Sequence, residues 1–100
     1  LYHLDGTCQL RFLDQLQTLS RLNGIQWNPE PSAGSPLRWI DTLRDILARG
    51  WVLHVNCDTV DEAVELTREL GPDGLLLVLP RFDSLGAAEA AIERIERAVT

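Results

Sequence analysis

The sequence predicts an α/β fold built from four successive βα units with parallel strands. Four short apolar, β-prone segments begin near residues 1, 22, 51 and 74, and a segment with apolar residues at helical spacing follows each of them. Gly, Pro and Asn residues separate these segments. Because every helix is then a crossover connection, the strands are expected to pair in parallel. Two architectures fit: half of a (β/α)8 barrel, or an open four-stranded doubly wound sheet.

The first unit opens with LYHLDGTC, a β-prone stretch that ends in a group of polar side chains. Leucines at positions 10, 13, 16 and 19 then recur at helical spacing and predict a helix over residues 9–20. The second strand is predicted in LNGIQWNP, residues 22–29, where Pro29 ends it. After the Pro/Gly/Ser loop PEPSAGS, Ser35 followed by Pro36 is typical of a helix start.

The third and fourth units repeat this order. WVLHVNC, residues 51–57, is the third predicted strand, and Thr59 with Glu62 has the spacing of a capping box for the following helix. The fourth strand is GLLLVLP, residues 74–80, whose continuous apolar run is typical of a strand buried on both faces. The stripe expected to face inward on the last helix is Ala88, Ala91, Ile92, Ile95 and Val99.

Length and charge exclude several classes of protein. One hundred residues form a single domain, whereas a complete (β/α)8 barrel takes about 250 residues. The chain opens inside a predicted strand and without methionine, so we expect residues 1–100 to be a fragment of a larger TIM-barrel chain. A net charge of −6 argues against a nucleic-acid partner. With no membrane-spanning or signal segment and two cysteines outside any CxxC motif, we expect a cytoplasmic location and no membrane partner.

Polar side chains share one phase on three of the predicted strands. They are His3 and Asp5 on the first, Gln26 and Asn28 on the second, and His54 and Asn56 on the third. Residues two apart in a strand point to the same face, and chemistry in α/β proteins lies at the carboxyl ends of the strands. These six residues are therefore the predicted site. The alternative is that they are ordinary residues between strands and loops that cap the following helices.

Four segments together resemble the C-terminal half of the uroporphyrinogen decarboxylase superfamily, which includes zinc-dependent, corrinoid-linked methyltransferases. YHLDG resembles the strand end at which those methyltransferases carry His-x-Cys-Gly, and LNGIQWNP resembles a decarboxylase stretch ending in a Gly-Leu-Asp-Trp-like segment. HVNCDT resembles a Gln-Gly-Asn-Leu-Asp-Pro segment, and GPDGLLLVLP the Gly-Pro-strand element that follows it. The resemblance implies a (β/α)8 barrel of which this chain supplies strands five to eight.

The resemblance also implies functional roles. His3 and Asp5 would be catalytic, as ligands of a zinc ion or as an acid/base pair, and Gln26, Asn28, His54 and Asn56 would contact a small-molecule substrate. Asp5 stands where the methyltransferases have a cysteine ligand, and Leu79-Pro80 supplies no thiolate. The partner would be the remaining half of the barrel or a second copy of the chain, and the isolated chain should be inactive. The rival hypothesis is a non-catalytic α/β interaction or structural module.

Overall fold

The computed structural model describes residues 1–99 of the chain, in which strands and helices alternate as the sequence predicts. The regular elements are, in order, β1 (Tyr2–Asp5), a 3-10 helix (Thr7–Phe12), α1 (Leu13–Gln17), β2 (Gly24–Asn28), 3-10 turns (Pro31–Ala33 and Pro36–Trp39), α2 (Ile40–Ala48), β3 (Val52–Asn56), α3 (Val60–Leu70), β4 (Leu75–Val78) and α4 (Leu85–Ala98). No helix among these residues is long and apolar enough to cross a bilayer.

The four strands form one parallel sheet in the order β1-β2-β3-β4, which confirms the predicted α/β class. Because the order never reverses, crossovers of one hand place successive helices on the same face of the sheet. Accordingly, α2 packs against α3, and α3 against α4. This layout is consistent with one half of a (β/α)8 barrel and with an open four-stranded parallel sheet, although six-stranded doubly wound sheets reverse their strand order.

The hydrophobic core lies between the helices and one face of the sheet, here called the covered face. Alternate strand residues point into it, and helices α2 and α3 supply the opposing side chains. Its fully buried members are Leu4, Ile25, Leu43, Ile46, Leu53, Val55, Ala63 and Leu66. Burying each Leu, Ile or Val side chain among them contributes about 1.5–3 kcal/mol, so this layer is the principal source of stability.

The intervening strand residues point to the opposite side, here called the uncovered face, which no helix of residues 1–99 covers. It consists of His3, Asp5, Gln26, Asn28, Val52, His54, Asn56, Leu76 and Val78. The prediction that β4 is buried on both faces is wrong for this chain, since Leu76 and Val78 are 55% and 43% exposed. The physical reason is that β4 is an edge strand with helices on one side only.

The first predicted helix is shorter and tighter than the leucine spacing indicates. It begins as the 3-10 helix Thr7–Phe12 and is α-helical only over Leu13–Gln17. At its end, the Thr18 hydroxyl donates to the Gln15 carbonyl at 2.6 Å. This local bond competes with the backbone bond that would continue the helix. The predicted length over residues 9–20 is therefore wrong, although the helical position of the segment is confirmed.

The predicted helix starts at Ser35 and Thr59 are confirmed. Ser35 Oγ accepts from the Leu37 amide at 3.1 Å, and Thr59 Oγ1 accepts from the Glu62 amide at 3.1 Å. After Pro36 the first turn is 3-10 rather than α, because Trp39 leaves helical geometry (φ −115°, ψ 24°). Its indole nitrogen donates to the Ala33 carbonyl at 3.1 Å, which holds this turn against the preceding loop.

Helix α4 packs mainly against α3, and its Ile95 also packs against the core. Of its predicted inward stripe, Ala91 is buried and Ile95 is half-buried, whereas Ile92 and Val99 are exposed. The stripe prediction is therefore correct for part of the helix only. A cavity of about 240 Å³ lies between β4 and α4.

Candidate functional site

The six predicted site residues all lie on the uncovered face. The strand register places His3 beside Gln26 and Gln26 beside His54, which forms one row across three strands. One step nearer the carboxyl ends, Asp5 lies beside Asn28. The alternation predicted from the sequence is therefore present, and the functional roles of these residues stay predictions.

A cavity of about 450 Å³ lies at the carboxyl ends of β2 and β3. Asn28 and Asn56 line it, and the loops that follow the two strands form its walls. Its volume is within the usual range for small-molecule sites, about 300–1,000 Å³, and its position is where (β/α)8 barrels carry their chemistry. His3, Asp5, Gln26 and His54 share the face but do not line this cavity.

The Asn28 side chain is held in place by a residue of the neighbouring strand. Its Nδ2 donates to Asp5 Oδ1 at 2.7 Å. This bond uses an amide hydrogen of Asn28 and leaves its carbonyl oxygen available as an acceptor. Asp5 does not line the cavity, but it fixes the orientation of Asn28, which does.

Glu30 connects the cavity wall to the loop after β1. Its carboxylate accepts from the Thr7 amide at 2.9 Å and from the Thr7 hydroxyl at 2.5 Å. The side-chain and backbone hydrogen bonds from Thr7, in that order, lower the pKa of Glu30 below its ordinary value. Glu30 therefore keeps a negative charge at the edge of the cavity.

Glu62 joins two loops that line the cavity. Ser35 Oγ donates to its Oε2 at 2.6 Å, and the Asp58 amide donates to its Oε1 at 3.0 Å. The capping-box spacing identified Glu62 as a residue that bonds back toward its helix start, and this bond reaches Asp58, one residue before Thr59. The contact with Ser35, 27 residues away, carries no local sequence signal.

The side chains that line the cavity carry negative charge only. Glu30 and Asp58 line it, and the lining contains no Arg or Lys, although the Arg38 guanidinium lies against Gly34, one of the lining residues. Its remaining lining is neutral: Trp27, Asn28, Pro29, Pro31, Gly34, Ser35, Pro36 and Asn56. Such a lining favours neutral or cationic ligands over anionic ones, because an anion entering it would meet two carboxylates and no cationic side chain within the lining itself.

Two buried nitrogen atoms have no hydrogen-bond partner within residues 1–99. One is Nε1 of Trp27, a residue that is 3% exposed and packs its ring 5.7 Å from that of Trp39. The other is Nδ1 of His54, in the middle of the uncovered face. Buried polar atoms usually find a partner, so each marks a position where a ligand or another chain could supply one.

Residues 1–99 do not supply a complete zinc site by themselves, and zinc binding stays a prediction. His3 and Asp5 are two ligands, and residues 1–99 contain no group of three His, Cys, Asp or Glu side chains that could hold a metal. Desolvation, followed by the charges of Glu62 and Asp58, raises the pKa of Cys57 to about 11, so its thiol stays protonated near neutral pH. Cys8 is exposed, and both cysteines are free. Zinc sites need three or four protein ligands.

Comparisons with protein-family models, with curated proteins and with solved structures give no match for this chain.

Sequence reasoning missed Trp27, Glu30, Ser35 and Asp58 as residues that line the cavity. Asp58 had a usable signal, since it follows the third predicted strand directly, where loop residues of α/β sites are found. Ser35 was identified only as a helix cap, and Glu30 as part of a loop. Their contribution depends on how the loops fold over the sheet, which strand periodicity does not report.

Proposed function

We propose that this chain forms one half of a (β/α)8-barrel active site that binds a small polar molecule, in an enzyme related to uroporphyrinogen decarboxylase or to the corrinoid-linked methyltransferases. One observation carries the proposal: Asn28 and Asn56, predicted as substrate contacts, line one cavity at the carboxyl ends of adjacent strands. Asp5, from the predicted pair on the first strand, bonds directly to Asn28.

Each residue of the site has a chemical task in this proposal. The amides of Asn28 and Asn56 orient polar groups of the substrate, and Asp5 keeps Asn28 in one rotamer. His3 and Asp5 form an acid/base pair on the same face, since imidazole is the side chain best suited to move protons near neutral pH. Gln26 and His54 contact the part of the substrate that lies deeper in the barrel. The other half of the barrel would complete the site, so a single copy of the chain should show no turnover.

The charge of the cavity distinguishes the two branches of the superfamily. A porphyrinogen substrate is a polycarboxylate, and the lining described above offers it no cation. A small methylated substrate, neutral or cationic, is compatible with Glu30 and Asp58. We therefore favour a methyltransferase-like substrate. A zinc ion would need ligands from the other half of the barrel besides His3 and Asp5, so the proposed substrate binding is argued without it.

Titrations followed by ¹⁵N NMR test the proposal with two probes of opposite charge, trimethylammonium and uroporphyrin. We expect trimethylammonium to shift the side-chain amide signals of Asn28 and Asn56 saturably, and uroporphyrin to leave them unchanged. Asn28→Ala and Asn56→Ala should each weaken binding about tenfold, the loss of one good polar contact. Asn23→Ala is the matched control, because Asn23 is exposed at the opposite end of β2 and should not affect binding.

Two results would contradict this proposal. If uroporphyrin binds through Asn28 and Asn56, the decarboxylase branch replaces the methyltransferase branch. If neither probe shifts these amides, the enzyme proposal fails and the non-catalytic interaction module becomes the better hypothesis. The uncovered face would then be the surface on which a protein partner binds.

A further inference from the structure

Both edges of the sheet are open in the described chain, and they are complementary. Strands β1 and β4 are the two edge strands, and each has four residues. In both strands the side chains alternate between the covered and the uncovered face in the same manner. A parallel pair between β4 of one chain and β1 of another would continue the existing order without changing which residues face the core.

The groove between β4 and α4 has the position and lining that such a strand requires. We define it by Leu75, Leu77, Leu79, Ile95 and Val99, with a volume of about 240 Å³. In a sequentially wound sheet the helix after a strand packs over the space between that strand and the next one. This space contains an apolar cavity, which the side chains of a following strand would fill.

The uncovered face can be buried with little electrostatic cost. Within the described chain, Asp5 is its one residue with a formal charge, although the chain carries −6 overall. Three of the exposed large apolar side chains, Val52, Leu76 and Val78, lie on this face, and Val99 lines the groove. The buried Nδ1 of His54 also lacks a partner here. Covering this surface removes apolar area from water and opposes few like charges.

We propose that a second copy of this chain occupies these surfaces, so that two copies close a two-fold symmetric eight-stranded barrel. The β1 strand of each copy pairs with β4 of the other, and its Tyr2 side chain enters the partner's groove. Eight strands are the number at which a parallel barrel closes with an interior that side chains fill. Related strands then lie opposite each other across the axis, so Leu76 of each copy faces Leu76 of the other.

A second copy would also complete the candidate site, and this part of the inference rests on the proposed function. The carboxyl ends of β1, β2 and β3 in one copy contribute Asp5, Asn28 and Asn56 to half of a barrel mouth, and the second copy contributes the same three residues to the other half. The two edge strands of one chain match each other in length and alternation, which favours a second copy of the chain as the partner. A different protein would have to reproduce both edges independently.

Sedimentation equilibrium tests the assembly, with one matched pair of variants. Leu76 and Leu19 are 55% and 54% exposed, but Leu19 lies in the loop before β2, away from the uncovered face. We expect the wild-type chain to sediment at twice its mass of 11.2 kDa. Leu76→Lys would bury two opposed ammonium groups and should raise the dissociation constant at least about tenfold. Leu19→Lys should leave it unchanged.

A monomer at all concentrations up to the millimolar range would overturn the proposal, as would a dimer that Leu76→Lys and Leu19→Lys weaken equally. Circular dichroism of Leu76→Lys separates loss of assembly from loss of fold, and we expect an unchanged spectrum because Leu76 is exposed in the single chain. Sedimentation measures the mass of the assembly, whereas the test of the proposed function measures NMR shifts of the Asn28 and Asn56 side-chain amides when a probe is added. Failure of one is therefore distinguishable from failure of the other.

Discussion

The two faces of this sheet are made by the same strands and differ in almost every physical property. On the covered face, Leu53 and Val55 of β3 are fully buried against helices. On the uncovered face, the same strand carries exposed Val52, half-buried His54 and exposed Asn56. The comparison shows how a strand with period two can separate two surfaces: one face is packed against helices and provides stability, and the other carries polar and exposed apolar side chains.

The largest expected effect compares a leucine from each face. Leu53→Ala removes a fully buried side chain and should lower the free energy of unfolding by about 2–5 kcal/mol. Leu76→Ala should change it by less than about 0.5 kcal/mol in dilute protein, because its side chain is mostly in water. Urea denaturation measures both. Equal losses would mean that the uncovered face contributes to the fold of the single chain as much as the core does.

An intermediate effect is expected at Gly24, where the strand backbones approach closely. A Cβ atom at this position would lie 2.8 Å from the Val52 carbonyl oxygen, and neither backbone can move without disturbing the β2–β3 pairing. Gly24→Ala should therefore cost about 1–3 kcal/mol by thermal or urea denaturation. Gly86→Ala in α4 is the control, since its Cβ would meet nothing within 4 Å. It should raise stability by up to about 1 kcal/mol, and a loss there would contradict this account.

The smallest effect is expected at Glu30, in the loop after β2, and it depends on pH. Because the folded-state pKa of Glu30 is lowered, its carboxylate stabilises the fold above about pH 4.5, and this contribution is lost as the pH falls through the folded-state pKa. Glu30→Gln should be less stable than wild type at pH 7, and the difference should shrink toward pH 3. Urea midpoints at the two pH values measure it.

Glu89→Gln is the control for that experiment, because it removes the same charge from an exposed position on α4. A difference between wild type and Glu30→Gln that stays constant from pH 7 to pH 3 would show that the hydrogen bonds with Thr7 do not depend on the charge of Glu30.

Features with a short repeat or a local motif could be predicted from the sequence. The period of two placed His3, Gln26 and His54 on one face, and the caps at Ser35 and Thr59 follow from local residue order. Features that depend on distant contacts could not be predicted. The continuous apolar run of β4 suits a strand buried on both faces, and nothing within it reveals that the second face lacks a helix.

The candidate site was predictable to a similar degree. The residues of the strands were identified, because strand geometry alone determines their common face. The loop residues were not, since the contact of Glu30 with Thr7 spans 23 residues and that of Ser35 with Glu62 spans 27. Contacts at such separations depend on the tertiary arrangement of the loops, for which the sequence has no periodic signal.

The hydrogen bonds of Glu62 have a consequence for how the site can change. The Glu62 carboxylate accepts hydrogen bonds from both Ser35 and the Asp58 amide, so it links the loop after β2 to the loop after β3. A substitution that shifts one wall of the cavity should displace the other wall as well. A change of ligand preference at this cavity would therefore require substitutions in both loops, with Glu62 retained because it bonds to each of them.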